Sequence, residues 1–180
     1  MQAIMLDLET MDTKPTAAIL SIGACSFDPE HTNEADELPT FERRITLVSN
    51  EALGRTFSAS TIQWWLQQPK AAQQSLYEGD LISLKQALFD LRAWINALSP
   101  TPHRLWAKDP DFDNNILADA FGALGEPPLF KYWQTRSVRT VVELGYPDGD
   151  APAMAGTKHS AVEDAVWQAL LVQSAVGRLR

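Results

Sequence analysis

The sequence of 180 residues predicts an α/β or α+β fold, in which helices cover the faces of one β-sheet. Two observations carry this prediction. Three segments with strand patterns follow one another in the first 48 residues, and the later part of the chain combines helices with two short strands. The length favours a single domain, residues 1–180, that buries a sizeable core.

The first strand is predicted in AIMLDLETMD, residues 3–12, where apolar residues alternate with other side chains. This alternation places Asp7 and Glu9 on the same face of the strand. Their Cα atoms would lie about 6.6 Å apart, and two bare charges at that separation repel by about 2.5 kcal/mol at an effective dielectric of about 20. Two carboxylates in an apolar strand therefore need a reason.

The remaining elements follow from alternation, capping residues and helical periodicity. Further strands are expected at 17–28, 41–48, 104–107 and 129–133. Helices are expected at 58–68, 83–100, 111–125, 135–145 and 160–179, with Ser60, Ser83, Asp111, Thr135 and Ser160 as their N-caps. The first three strands have short connections, of which the polar segment 31–40 is one, and this predicts an antiparallel meander.

Composition narrows the possible functions. A hydrophobic content of 45% and a charged content of 21% are ordinary for a soluble globular protein, and no apolar run is long enough to span a membrane. The chain enters its first strand without a signal peptide, which predicts a cytoplasmic protein with no membrane partner. Cys25, the single cysteine, is expected to be a buried apolar residue without a function.

The net charge of −8 argues against broad electrostatic binding of nucleic acid, which draws on a basic surface. A polyanionic substrate would therefore have to be held by local cations or by metal ions.

The segment HSAVED, residues 159–164, begins the last predicted helix after a loop rich in Gly, Pro, Ala and Asp at 146–158. If Ser160 is the N-cap, Glu163 is its capping-box partner. His159 and Asp164 then occupy the two positions whose side chains meet across the first turn. An imidazole and a carboxylate are thus expected side by side at the positive end of a helix.

A further carboxylate without a local structural role is Asp113. Its neighbours Asp109 and Asp111 are explained by a turn before Pro110 and by helix capping. Four carboxylates then remain to be explained: Asp7, Glu9, Asp113 and Asp164. Oxygen ligands suit Mg²⁺ or Mn²⁺, and two such ions with a nearby histidine can hydrolyse a phosphodiester bond.

Three motifs resemble those of the DEDDh exonucleases and occur in the same order. They are DLET with Asp7 and Glu9, FDNNIL with Asp113, and HSAVED with His159 and Asp164. The resemblance spans nearly the whole chain and is nearest to the small phage and bacterial exonucleases of the DexA type. Their sequences similarly run from DLET into MDTKPTAAILSIGA and carry a WW pair. It implies an α/β, RNase H-like fold with a mixed five-stranded sheet of order 3-2-1-4-5, flanked by helices.

The resemblance also implies roles for the motif residues. One ion is held by Asp7, Glu9 and Asp164, a second by Asp7 and Asp113, and His159 is the general base. The implied activity removes nucleoside 5'-monophosphates from the 3' end of single-stranded DNA or RNA, with two Mg²⁺ or Mn²⁺ ions as cofactors. Related enzymes are often homodimers, so a homodimer is expected.

The pair Trp64 and Trp65 lies on one predicted helix, and the two side chains cannot both face the core. Trp65 belongs to the apolar stripe of that helix. Trp64 is therefore available to stack on a base, an interaction of about 1–3 kcal/mol, or to pack against a neighbouring loop.

Other substrate contacts are expected beside the motif carboxylates. Thr10, Met11 and Phe112 are the candidates for contact with the terminal nucleotide, with core packing as the alternative for the last two. Many relatives carry Gly where this chain has Met11, which bears on the shape of the nucleotide pocket. Arg136 and Arg139 are candidates for phosphate contacts, or form a solvated helix face.

Two other functions fit parts of the pattern. DLET resembles the D-x-D-x-T start of aspartyl phosphatases, but its second acid is Glu and the lysine motif of those enzymes is not found. A non-catalytic nucleic-acid-binding module could keep the same fold. All five motif positions are filled by competent residues, which favours the nuclease.

Overall fold

A computed structural model describes residues 2–98, 104–154 and 160–180. Within them the strands are β1 (Ala3–Thr10), β2 (Ile19–Phe27), β3 (Thr40–Ile45), β4 (Leu81–Ile82), β5 (Leu105–Ala107) and β6 (Thr135–Ser137). The helices are α1 (Leu47–Ala52), α2 (Ala59–Leu66), α3 (Lys70–Ser75), α4 (Leu84–Ala97), α5 (Asp113–Ala123), α6 (Val138–Gly145) and α7 (Ala161–Arg178). The predicted α/β architecture is confirmed.

The strands form one mixed sheet of order β4-β3-β2-β1-β5-β6. The pairs β1–β2 and β2–β3 are antiparallel, as expected of a meander, whereas β1–β5, β5–β6 and β3–β4 are parallel. The implied order 3-2-1-4-5 is recovered in β3-β2-β1-β5-β6. The implied count of five strands is corrected to six, because the two-residue strand β4 pairs with the free edge of β3.

The core has two layers, one on each face of the sheet. On one face, Ile4, Leu6 and Leu8 of β1 pack with apolar side chains of α4 and α5. On the other face, Ala3 and Met5 pack with apolar side chains of α7 and α6. Among the described residues no helix has the length and hydropathy needed to cross a membrane. Cys25 is buried in the second layer, as predicted.

Two strand predictions are corrected. The strand predicted at 41–48 ends at Ile45, because the side chain of Thr46 accepts a hydrogen bond from Ser49 N and starts α1. The strand predicted at 129–133 is not formed. Lys131 N donates to Gln134 Oε1 at 2.8 Å, so a local turn satisfies the backbone there, and the fifth predicted strand lies instead at Thr135–Ser137, parallel to β5.

Helix starts differ from the predicted caps at three places. Ser83 and Ser160 are N-caps as predicted, although the Ser160 side chain makes no capping hydrogen bond. The other caps are Ser58 for α2, Phe112 for α5 and Ser137 for α6, in place of Ser60, Asp111 and Thr135. Thr135 is the first residue of β6. The N–H groups of Phe112 and Asp113 both donate to Asp109 O, and Asp111 lies within the turn that these hydrogen bonds close. The short helices α1 and α3 were not predicted.

Candidate active site

Three of the predicted site carboxylates meet where β1 passes beneath the first turn of α7. One oxygen atom from each of Asp7, Glu9 and Asp164 lies within 4.8 Å of the others. Asp7 and Glu9 point to the same side of β1 because they are two residues apart in a strand. Asp164 lies in the first turn of α7, where the helix dipole favours negative charge.

Gly23 allows α7 to reach this position. It pairs with Asp7 across the β1–β2 ladder, and a Cβ atom on Gly23 would lie 2.0 Å from Ala161 C and 2.2 Å from Val162 N. The backbone of α7 therefore rests directly on the backbone of β2, beside Asp7. Sequence reasoning missed this residue, although a glycine inside a strand is a recognised signal of close backbone approach.

Asp113 joins the site from the start of α5. It is buried, and Leu8 N on β1 donates a hydrogen bond to Asp113 Oδ1 at 3.1 Å. Asp7 and Glu9 flank Leu8 in the sequence, so this hydrogen bond fixes a third carboxylate next to the same stretch of β1. Asp113 lines the same cavity as the other three without joining their 4.8 Å group.

The site cavity has a volume of about 200 Å³ and is strongly acidic. Besides the four carboxylates, its lining includes Asp109 and a cation, Lys108, which is exposed. Gln168 of α7 also lines the cavity, and its Nε2 donates to Asp7 Oδ1 at 2.8 Å. Neither Lys108 nor Gln168 was predicted as a site residue.

Burial makes Asp7, Glu9 and Asp113 weak acids in the metal-free protein. Burial, and then the charges of Asp113, Glu9 and Asp164, raise the pKa of Asp7 well above its usual range. Burial and the charges of Asp164 and Asp113 raise the pKa of Glu9 to about 8. Burial raises the pKa of Asp113 to about 7, with the Leu8 hydrogen bond opposing the change. The repulsion expected from the sequence is therefore present in the folded protein.

A second pocket, of about 370 Å³, adjoins the acidic cavity. Leu8, Glu9 and Phe112 line both. Three of the four expected substrate contacts, Thr10, Trp64 and Phe112, line the second pocket.

Met11 lies elsewhere. It packs against a buried cluster that includes Leu20 and Trp65 and is not among the residues that line the second pocket. The neighbouring indole is held firmly, because Trp65 Nε1 donates to Thr10 O at 2.9 Å. Trp65 is buried and Trp64 is 41% exposed, so the division of roles expected for the pair agrees with their placement.

Neither arginine candidate lines either pocket. Arg139 Nε donates to Asp109 Oδ1 at 2.6 Å, and Arg136 donates to the carbonyl oxygens of Trp133 and Thr135. His159 lies outside the described residues, as does the part of the loop from 155 to 158. Its predicted pairing with Asp164 therefore stays a prediction.

Comparisons with known proteins agree with this arrangement. Residues 2–176 match the family described as the 3'-5' exoribonuclease Rv2179c-like domain. An exodeoxyribonuclease of Enterobacteria phage T4 is 28% identical, over 77% of this chain and 70% of the phage protein.

Solved structures show the same fold at low sequence identity. The nuclease domain of 3'hExo, a DEDDh family member bound to rAMP, superposes with a TM-score of 0.61 at 12% identity, over 98% of this chain and 92% of that domain. The match to cell-death related nuclease 4 has a TM-score of 0.55 at 14% identity, and it covers 98% of this chain and 64% of that protein. The chain therefore belongs to the 3'-5' exoribonuclease Rv2179c-like domain family, shares its fold with a DEDDh family member and is a nuclease.

Proposed function

We propose that this nuclease, as one domain of residues 1–180, removes nucleoside 5'-monophosphates from the 3' end of single-stranded DNA or RNA with two Mg²⁺ or Mn²⁺ ions. The observation that carries the proposal is the convergence of Asp7, Glu9 and Asp164, each of which offers an oxygen atom within 4.8 Å of the others in one cavity. The family description names an exoribonuclease and the phage relative is an exodeoxyribonuclease, which supports both substrate classes.

The donor set fits hard divalent cations. All the candidate ligands are carboxylate oxygens, which Mg²⁺ and Mn²⁺ prefer. Burial and mutual repulsion raise the pKa values of Asp7, Glu9 and Asp113, and bound cations would relieve both costs. Asp7, Glu9 and Asp164 would hold one ion, and Asp7 and Asp113 the other. When bound, the ions activate the attacking water and stabilise negative charge on the leaving oxygen.

The two adjoining pockets suit the end of a nucleic-acid strand. The terminal nucleoside occupies the 370 Å³ pocket, where Thr10 and Phe112 contact it and the exposed face of Trp64 stacks on its base. The scissile phosphate then lies in the acidic cavity, because Leu8, Glu9 and Phe112 line both spaces. Met11 acts on this pocket through its packing against Trp65.

His159 acts as the general base. It takes a proton from the attacking water as the oxygen of that water bonds to phosphorus and the bond from phosphorus to the leaving 3' oxygen breaks. The released product carries the phosphate on its 5' oxygen. In the sequence, His159 lies five residues before Asp164, whose carboxylate converges with those of Asp7 and Glu9.

Labelled oligomers test the direction and the product. With Mg²⁺ and matched DNA and RNA strands, a 3' label should appear in mononucleotides from the start, and a 5' label should pass through progressively shorter chains. Chelation by EDTA should stop both. A circular single strand should stay intact because it has no 3' end, and internal cuts in it would contradict the proposal. Light scattering of the same preparation tests the expected homodimer.

Replacing the proposed base tests the mechanism. His159→Ala should lower kcat by about a hundredfold or more, the usual scale for a general base, and leave the binding of two Mn²⁺ ions unchanged. The wild-type rate should rise with pH through the histidine titration, because only neutral imidazole accepts the proton. If the variant loses Mn²⁺ affinity while its turnover at saturating Mn²⁺ is preserved, His159 is a ligand or a structural residue.

A further inference from the structure

Gln168 makes a contact with the site that no sequence motif includes. It lies on α7 one turn after Asp164 and is 1% exposed. Its Nε2 donates a hydrogen bond of 2.8 Å to Asp7 Oδ1. Gln168 thus links α7 to β1, one helical turn after Asp164, whose side chain also lies close to β1.

The environment of Gln168 gives a reason to expect a role beyond packing. The neighbouring core positions of α7, Ala165, Ala169 and Val172, are apolar. Gln168 Oε1 is buried and has no hydrogen-bond partner among residues 2–98, 104–154 and 160–180. A buried amide with one unsatisfied atom stabilises the folded protein less than an apolar side chain of similar size would at this position. The contact with Asp7 is what this amide provides and an apolar residue would not.

We propose that Gln168 is a positioning residue for Asp7. Its hydrogen bond occupies one lone pair of Oδ1 and restricts rotation of the carboxyl group, so that Asp7 is held in an orientation ready to bind a divalent cation. The inference rests on the proposed function, since it assumes that Asp7 is a metal ligand. Hydrogen bonds to ligating groups from surrounding residues commonly change metal affinity or activity by about 10–100-fold.

The same helix offers a matched control. Gln173 is also buried, at 4% exposure, but lies away from the acidic cavity. Its Nε2 donates to Asp28 O and Asn33 Oδ1, each at 2.9 Å, and its Oε1 accepts from Asn33 N at 3.2 Å. Gln173 therefore holds a loop to α7, and its amide has partners on both atoms.

The experiment compares Gln168→Met with Gln173→Met in the full chain. Titration calorimetry measures Mn²⁺ affinity without substrate, thermal unfolding in EDTA measures stability, and kinetics at saturating Mn²⁺ separate kcat from KM. We expect Gln168→Met to bind Mn²⁺ about 10–100-fold more weakly and to lose kcat, with KM nearly unchanged. Gln173→Met should melt at a lower temperature and keep the wild-type Mn²⁺ affinity.

Side-chain amide resonances of the wild-type protein give a second measurement that needs no stable variant. Titration with Mg²⁺ should shift the Gln168 amide signals and leave those of Gln173 in place. Unshifted Gln168 signals, or a folded Gln168→Met protein with wild-type Mn²⁺ affinity, would overturn the inference while leaving the proposed function intact. If the wild-type protein itself binds no Mn²⁺ and degrades no oligomer, it is the proposed function that fails.

Discussion

The two faces of β1 are both largely buried and have opposite chemistry. Ile4 and Leu6 are fully buried and Leu8 is 4% exposed, and all three pack against α4 and α5. On the other face, Met5 is fully buried and Glu9 is 8% exposed, with Asp7 between them beneath α7. One strand therefore carries an apolar surface on one side and, on the other, a row of side chains that ends in two carboxylates.

The difference shows how stability and function are divided within a single strand. Each aliphatic side chain on the first face stabilises the fold by about 1.5–3 kcal/mol when fully buried. Burial on the second face works the other way, because it raises the pKa of Asp7 and of Glu9 and so disfavours their charged forms. The apolar face and the close fit of α7 against Gly23 keep the carboxylates together despite this cost.

Substitutions on the two faces should have opposite effects. Asp7→Asn should abolish hydrolysis, because it removes the ligand shared by the two proposed ion sites, and should leave stability in EDTA the same or higher because a buried like charge is lost. Leu6→Ala should lower the free energy of unfolding by about 2–5 kcal/mol and retain Mn²⁺ binding in the folded fraction. Urea unfolding in EDTA and oligomer hydrolysis measure both. Activity of Asp7→Asn within a few-fold of wild type would refute the metal assignment.

A substitution in β2 should disrupt the contact between β2 and α7. Gly23→Ala places a methyl group 2.0 Å from Ala161 C, and the clash is with backbone, so α7 must move. We expect a loss of about 1–3 kcal/mol or more together with weaker Mn²⁺ binding, since Asp164 moves with the helix.

Gly177→Ala is the matched control for this substitution. Gly177 lies in the same helix, and a Cβ atom there would meet nothing within 4 Å. Stability should rise by about 0.5–1 kcal/mol, the usual gain of alanine over glycine inside a helix, with Mn²⁺ affinity unchanged. Equal effects of the two substitutions would show that α7 is not held by its approach to Gly23.

Local patterns predicted the elements whose own residues determine them. β1, β2 and α4 follow from alternation and helical period, and their core residues lie where those patterns place them. The strand predicted at 129–133 failed because an aromatic run resembles a strand, while the true β6 is three residues long and forms only by pairing with β5. Such parallel pairing depends on a distant segment and leaves little trace in the local sequence.

The site residues also divide into those with local sequence signals and those whose partners are remote in the sequence. The four carboxylates were found from local features: two interrupt an apolar strand, one has no local structural role and one is predicted beside a histidine. The fold brings them to one cavity. Gly23 and Gln168 were missed because their partners are remote in sequence: Ala161 lies 138 residues after Gly23, and Asp7 lies 161 residues before Gln168. Gln168 did leave one local sign, a polar residue four positions after Asp164 on the same helix face.

A pH dependence of stability is also expected in the absence of metal. Burial and neighbouring charges raise the pKa of Glu9 from 4.5 to about 8. Between these values the folded protein keeps a proton that the unfolded chain has released, so the free energy of unfolding falls as pH rises. The contribution is on the order of a few kcal/mol. It is fully present below pH 4.5 and is lost as pH rises through about 8.

The dependence is isolated by subtracting the profile of Glu9→Gln, which cannot titrate at this position, from that of the wild-type protein. Urea unfolding in EDTA at several pH values from about 5 to 8 should give a difference in the free energy of unfolding, wild type minus Glu9→Gln, that declines as pH rises. Saturating Mn²⁺ should reverse the trend in the wild-type protein, because cations bind the ionised carboxylates that become available as pH rises. A difference that rises with pH in EDTA would show that the acidic face of β1 is stabilised by its charges and not destabilised by their burial.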